Sequence, residues 1–118
     1  CHTGEKTCFF REITQDNYEF APPSGERSVL EELAQVIEER KASMPQGSYV
    51  ASLFKEGVER VAQKVIEEAG EAAIAGVKQS KERLVSEVAD LWFHSLVLLA
   101  SRDVSLEEVW EELRKRRK

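Results

Sequence analysis

The segment Arg60–Ala75, RVAQKVIEEAGEAAIA, is followed after a short polar break by Leu84–Ser101, LVSEVADLWFHSLVLLAS, and these two runs decide the fold. Val58, Val61, Ala62, Val65, Ala69 and Ala72 recur at three- and four-residue intervals, the repeat of an α-helix with one buried face. In the second run Leu91, Trp92, Phe93, Leu96, Val97, Leu98 and Leu99 are apolar nearly all round, the pattern of a helix with neighbours on most sides. The break around Lys78–Ser80 has room only for a turn, so the two helices run antiparallel.

Working outward, a helical region starts near Ser48 and is expected to bend at Gly57 before it reaches Val58. Ahead of it, Pro45, Gln46 and Gly47 end a first helix that opens at Ser28, where Ser28 and Glu31 have capping-box spacing. That helix carries one apolar stripe of Val29, Leu30, Leu33, Val36 and Ile37, and its Glu31, Glu32, Glu38 and Glu39 read as a solvated face. On the other side the third helix runs from about Lys81 to Ser101. Ser105 and Glu108 then form a second capping box, opening a last helix with Leu106, Val109, Trp110 and Leu113 on one face. No stretch alternates as a strand would, and nothing repeats. The fold class is all-α, a four-to-five-helix bundle. Residues 28–118 form the bundle domain. Residues 14–27, with Pro22, Pro23, Ser24 and Gly25, read as a linker, and residues 1–13 carry both cysteines.

The 118 residues suit one domain with one core, and with 42% hydrophobic residues it needs neither disulfide nor structural metal to fold. Seventeen basic residues against 22 acidic, a net charge of -5, argue against a nucleic-acid binder. The all-basic tail Arg114–Lys118 reads as cations favoured at a helix C-terminus. The longest uninterrupted apolar run, Leu96–Ala100, falls far short of the roughly 18 residues of a membrane span. Nothing in the sequence given looks like a signal peptide, and the expected setting is cytoplasmic, away from membranes.

Five acids lie on the two deciding helices: Glu67, Glu68 and Glu71 on one, Glu87 and Asp90 on the next. Glu68 and Glu71 are one turn apart, and Glu87 and Asp90 repeat that spacing. Glu68 sits about 80° from the centre of its helix's apolar arc, at the margin of the buried stripe rather than opposite it. Glu87 occupies the matching margin beside Leu91 and Leu98. Antiparallel neighbours can bring these margins together, and like charges about 4 Å apart cost roughly 4 kcal/mol at an effective dielectric near 20. A hard divalent cation removes that penalty, and oxygen-only ligands suit Mg2+, with Mn2+ as the alternative. An ordinary solvated acidic face is the competing reading. Duplication of the pair against the core sets these acids apart from those of the first helix. Arg60, Lys64 and Lys78 share the acidic arc, either as i,i+4 partners or as cations for phosphate oxygens. His94, one turn beyond Asp90, reads first as a hydrogen-bonded core histidine. Glycine-rich phosphate loops, serine-histidine-aspartate sets and complete zinc ribbons are absent from the sequence.

From SYVASLF at Ser48–Phe54 through RVAQKVIEEAGEAAIA to LVSEVADLWFHSLVLLASRDVSLEEVWEEL, the chain resembles the phosphoribosyl-ATP pyrophosphatase family of histidine biosynthesis. That family belongs to the all-alpha nucleotide pyrophosphatases, whose signature EExxE followed by ExxD matches Glu67-Glu68-Ala69-Gly70-Glu71 and Glu87-Val88-Ala89-Asp90. The resemblance implies a bundle of that type assembled as an oligomer, at least a dimer. It further implies Mg2+ on Glu68, Glu71, Glu87 and Asp90. Glu67 would stand behind the ligands or polarise water, making Glu67 and Glu68 the catalytic pair. Arg60 and Lys64 would lie on the phosphates of phosphoribosyl-ATP, which would be hydrolysed to phosphoribosyl-AMP and pyrophosphate. Ser52 stands where some members carry lysine, so that phosphate contact is either absent or supplied by Lys55, and Val65, Ile66 and Gly70 also depart from commoner choices. CHTGEKTCFFRE at 1–12 resembles the end of phosphoribosyl-AMP cyclohydrolase, in which Cys1 and Cys8 would bind zinc with a third cysteine upstream. The expectation is a piece of a bifunctional chain, its two cysteines relics of a zinc site. Two rivals stand beside this reading: a house-cleaning nucleoside triphosphate pyrophosphatase, and a noncatalytic helical oligomerisation module.

Overall fold

A computed structural model describes residues 28–117. The segments 1–13 and 14–27, including Cys1 and Cys8, lie outside the described residues, as does Lys118 at the end of the basic tail. Among the described residues there are five α-helices and no strand: α1 Val29–Ser43, α2 Tyr49–Glu56, α3 Val58–Lys78, α4 Lys81–Ser101 and α5 Leu106–Arg116.

Both expected capping boxes form. Glu31 N–H donates to Ser28 Oγ at 3.1 Å and Ser28 N–H to Glu31 Oε1 at 2.8 Å; at α5 the corresponding distances between Ser105 and Glu108 are 3.3 and 3.0 Å. Each satisfies two backbone donors that the first helical turn would leave open. Ser48 and Ser80 cap α2 and α4 through Ala51 N–H and Arg83 N–H, each at 3.1 Å. Helix α1 ends at Met44 in the left-handed region, its N–H returning 2.7 Å to Arg40 O ahead of Pro45.

The expected bend at Gly57 is a break. Gly57 adopts φ 101° and ψ 166°, a conformation that favours glycine, so α2 ends there and α3 starts afresh. Hydrogen bonds continue on both sides of it, from Gly57 N–H to Leu53 O and from Val61 N–H to Gly57 O, each at 3.2 Å.

Helices α3 and α4, 21 residues each, pair through the Gln79–Ser80 turn and make the most extensive contact among the described helices. The core is Leu33 and Ile37 of α1, Val50 and Leu53 of α2, Val61 of α3, and Phe93, Leu96, Val97 and Ala100 of α4. Lys41 ties the end of α1 to the end of α4, donating to Ala100 O at 2.7 Å and to the Asp103 carboxylate. Helix α5 has no fully buried residue, and its Leu106 packs against the core.

By length and composition α4 would pass as a membrane span, with a mean hydropathy of 1.4 over its most apolar window, which inspection of unbroken apolar runs does not show. In this fold it is the central bundle helix, and Glu87, Asp90 and His94 are buried on it. Among the described residues its neighbours nevertheless cover only part of its circumference. Trp92 is 52% exposed, Val85 is exposed beside it on α4, and Ile66, Ile74 and Val77 are exposed on α3.

Candidate metal centre

The α3–α4 pair carries acids inward from both helices. Glu68 and Glu87 are fully buried, Asp90 nearly so, and Glu71 partly. Glu68, Glu71 and Glu87 each present a carboxylate oxygen such that all three oxygens lie within 4.8 Å of one another. Asp90 is not in that tight trio, although its charge acts on Glu71. The one-turn spacing within each helix and the antiparallel pairing across the short turn together produce the convergence.

The oxygens concerned are poorly compensated. Both oxygens of Glu68, Oε1 of Glu87 and Oδ2 of Asp90 are buried and accept no hydrogen bond. Lys64 stands beside them, 1% exposed, with Nζ 3.7 Å from Glu68 Oε2 and 3.6 Å from Glu67 Oε1. Burial raises the pKa of Glu68, and Glu87 adds to this, against the opposing charges of His94 and Lys64. Glu71 is pushed up to about 7, first by burial, then by a hydrogen bond and charge repulsion from Glu87 and by the charge of Asp90, with Arg83 acting in the opposite sense. Buried carboxylate oxygens lacking donors are costly unless a cation meets them. An all-oxygen set on one point fits a hard divalent ion, and Glu68, Glu71 and Glu87 could hold one, with Asp90 alongside.

This arrangement carries a pH signature. A carboxyl whose folded-state pKa is raised stabilises the fold below the ordinary carboxylate range, and that contribution is lost as pH rises through the folded value. In EDTA, the melting temperature should therefore fall between about pH 5 and about pH 8 through the titration of Glu71. Saturating Mg2+ should remove most of that fall. A melting temperature that climbs across the interval in EDTA contradicts the assignment.

Other residues stand apart from the cluster or support it. Arg60 Nε pairs with Glu56 Oε1 at 3.2 Å, at the rim. Glu67 is partly exposed and faces Lys64, while Lys78 and Lys55 are exposed, and Ser52 Oγ donates to Tyr49 O at 2.6 Å. His94 is a buried, bonded histidine: Nδ1–H donates to the Asp90 carbonyl at 2.8 Å, and Nε2 shares a hydrogen bond with the Tyr49 hydroxyl at 3.0 Å. Tyr49 and Arg83 were not among the sequence candidates. Arg83 Nη2 lies 2.7 Å from Glu87 Oε2, and its place four residues before Glu87 was the available signal. Tyr49, 45 residues from His94, gave none.

Fold and cluster define a class: all-α bundles that bring carboxylates from two adjacent helices to one buried point. Residues 30–117 match the model of the phosphoribosyl-ATP pyrophosphohydrolase family. The chain belongs to that family, and so to the hydrolases. It is 54% identical over 90 residues to a phosphoribosyl-ATP pyrophosphatase of Metallosphaera sedula, covering 76% of this chain and 97% of the relative. Over 118 residues it is 45% identical to the histidine biosynthesis bifunctional protein HisIE of Pyrococcus furiosus, covering all of this chain and 54% of the relative. The HisIE protein of Bacillus subtilis is 41% identical over 116 residues, 98% of this chain and 53% of the relative. The chain thus spans about half the length of its bifunctional relatives.

Proposed function

We propose that this chain hydrolyses phosphoribosyl-ATP to phosphoribosyl-AMP and pyrophosphate in histidine biosynthesis. The observation that carries the reading is Glu68, fully buried with neither carboxylate oxygen hydrogen-bonded, at the centre of the α3–α4 cluster. Glu68, Glu71, Glu87 and Asp90 would hold Mg2+, with Mn2+ as a substitute. When bound, the ion would neutralise the triphosphate and help form the nucleophile. Glu67, partly exposed at the edge of the cluster, polarises the attacking water. Water oxygen bonds to the α or the β phosphorus as the P–O bond between them breaks, the electron pair stays on the bridging oxygen of the leaving group, and the water's proton passes to Glu67. Lys64 opposes the growing negative charge from inside the site, and Arg60 does so from the rim after exchanging Glu56 for a phosphate oxygen.

The exposed apolar residues of α3 and α4, Trp92 among them, are covered by a second copy of the chain in this reading. By the likeness of residues 1–13 to a cyclohydrolase, that domain precedes the bundle in the intact bifunctional protein, in the cytoplasm.

The test is pyrophosphate release in Mg2+ from phosphoribosyl-ATP beside ATP and the common deoxynucleoside triphosphates. At least about tenfold higher kcat/KM for phosphoribosyl-ATP is expected, since groups built to bond the extra ribosyl phosphate discriminate strongly. Light scattering of the same preparation should give a dimer mass. Preference for plain triphosphates would transfer the chain to the house-cleaning pyrophosphatases.

A further inference from the structure

Arg83 belongs to neither the ligand set nor the phosphate-binding set above, yet it reaches into the cluster. It lies in the first turn of α4, 53% exposed, and its guanidinium is held at two points along the helix. Nε donates to Gln79 Oε1 at 3.4 Å, and Nη2 meets Glu87 Oε2 at 2.7 Å. Most i,i+4 pairs on helices join two solvated side chains and contribute little. Here one end is at the surface and the other is a fully buried carboxylate, one of the three whose oxygens converge within 4.8 Å. The pair works as a strut from the rim of the bundle to the cluster.

Building on the divalent-ion reading of this cluster, we infer that Arg83 is the positioning residue for Glu87, fixing its carboxylate so that it meets those of Glu68 and Glu71 at one point. A glutamate has several rotatable bonds, and repulsion from Glu68 favours turning its carboxylate away. Arg83, itself anchored by Gln79, holds it in place before any ion arrives. Outer partners of metal ligands act in this way, by setting ligand orientation. A charge argument alone gives the opposite sign. A guanidinium near a divalent ion repels it, so if charge were the whole effect, removing Arg83 would tighten ion binding.

The test is Mn2+ binding to the full chain without substrate, titrated by electron paramagnetic resonance, for wild type, Arg83→Gln and Arg83→Lys. Arg83→Gln is expected to bind Mn2+ about tenfold more weakly than wild type at unchanged helix content, with Arg83→Lys recovering part of the loss. Equal or tighter binding by Arg83→Gln overturns the positioning role and leaves the divalent-ion reading intact. Failure of the wild type to bind Mn2+ saturably overturns both.

Discussion

Glu68→Gln should lower pyrophosphate release by more than about a hundredfold, since even outer partners of metal ligands cost ten- to a hundredfold when removed. The same substitution should raise the melting temperature of the protein in EDTA. Glu68 is fully buried, its oxygens accept no hydrogen bond, and burial raises its pKa. Its cation, Lys64, stands 3.7 Å away and is shared with Glu67 at 3.6 Å, so the amide variant leaves Lys64 a partner. Removing the charge relieves about 1 kcal/mol, or about 4–8 °C in a domain of this size. Calorimetry in EDTA and in Mg2+ checks both halves: wild type gains stability from the ion and the variant does not. A variant that keeps turnover, or melts lower in EDTA, would remove Glu68 from the account.

Phe93→Ala should have the opposite signature, a loss of about 3–5 kcal/mol with no gain in any buffer. Phe93 is fully buried in the core cluster, between Tyr49 at a ring-centroid distance of 6.1 Å and His94 at 4.9 Å. Truncation opens a void where α2 meets α4, on the helix that carries Glu87 and Asp90. Against a total stability of about 5–15 kcal/mol, the variant should be marginal near 37 °C. Urea denaturation measures the difference. A cost below about 1.5 kcal/mol would show that α4 is not the centre of the bundle.

Much of this architecture was legible in local sequence. Ser28 with Glu31 and Ser105 with Glu108 are short-range hydrogen-bonding units, so spacing alone located two helix starts. The span of α4 could be read from Ser80 to the polar run after Ser101. Gly57 could be seen as an interruption, but whether a glycine bends or breaks a helix depends on the sign of φ, which spacing does not carry. The acidic pairs were visible because one-turn spacing and proximity to an apolar stripe are both local properties.

What escaped the sequence depends on the third dimension. Lys64 shares an arc with Glu68, yet periodicity cannot tell a solvated lysine from one 1% exposed behind a carboxylate. The Tyr49–His94 contact joins α2 to α4 across the core. The apolar circumference of α4 suggested neighbours on most sides, but the side bearing Trp92 is left open by the described residues. An apolar stripe states that a face will be covered, not by which molecule.

In the proposed reading Glu68, Glu71 and Glu87 together hold divalent metal, with Asp90 beside them. The most direct measurement is diffraction at the manganese absorption edge from crystals grown with Mn2+. An anomalous peak within about 2.5 Å of oxygens from both α3 and α4, including Glu68, is the expected result. Crystals in which saturating Mn2+ gives no such peak, and the Glu68 and Asp90 carboxylates face separate bodies of water, would contradict it.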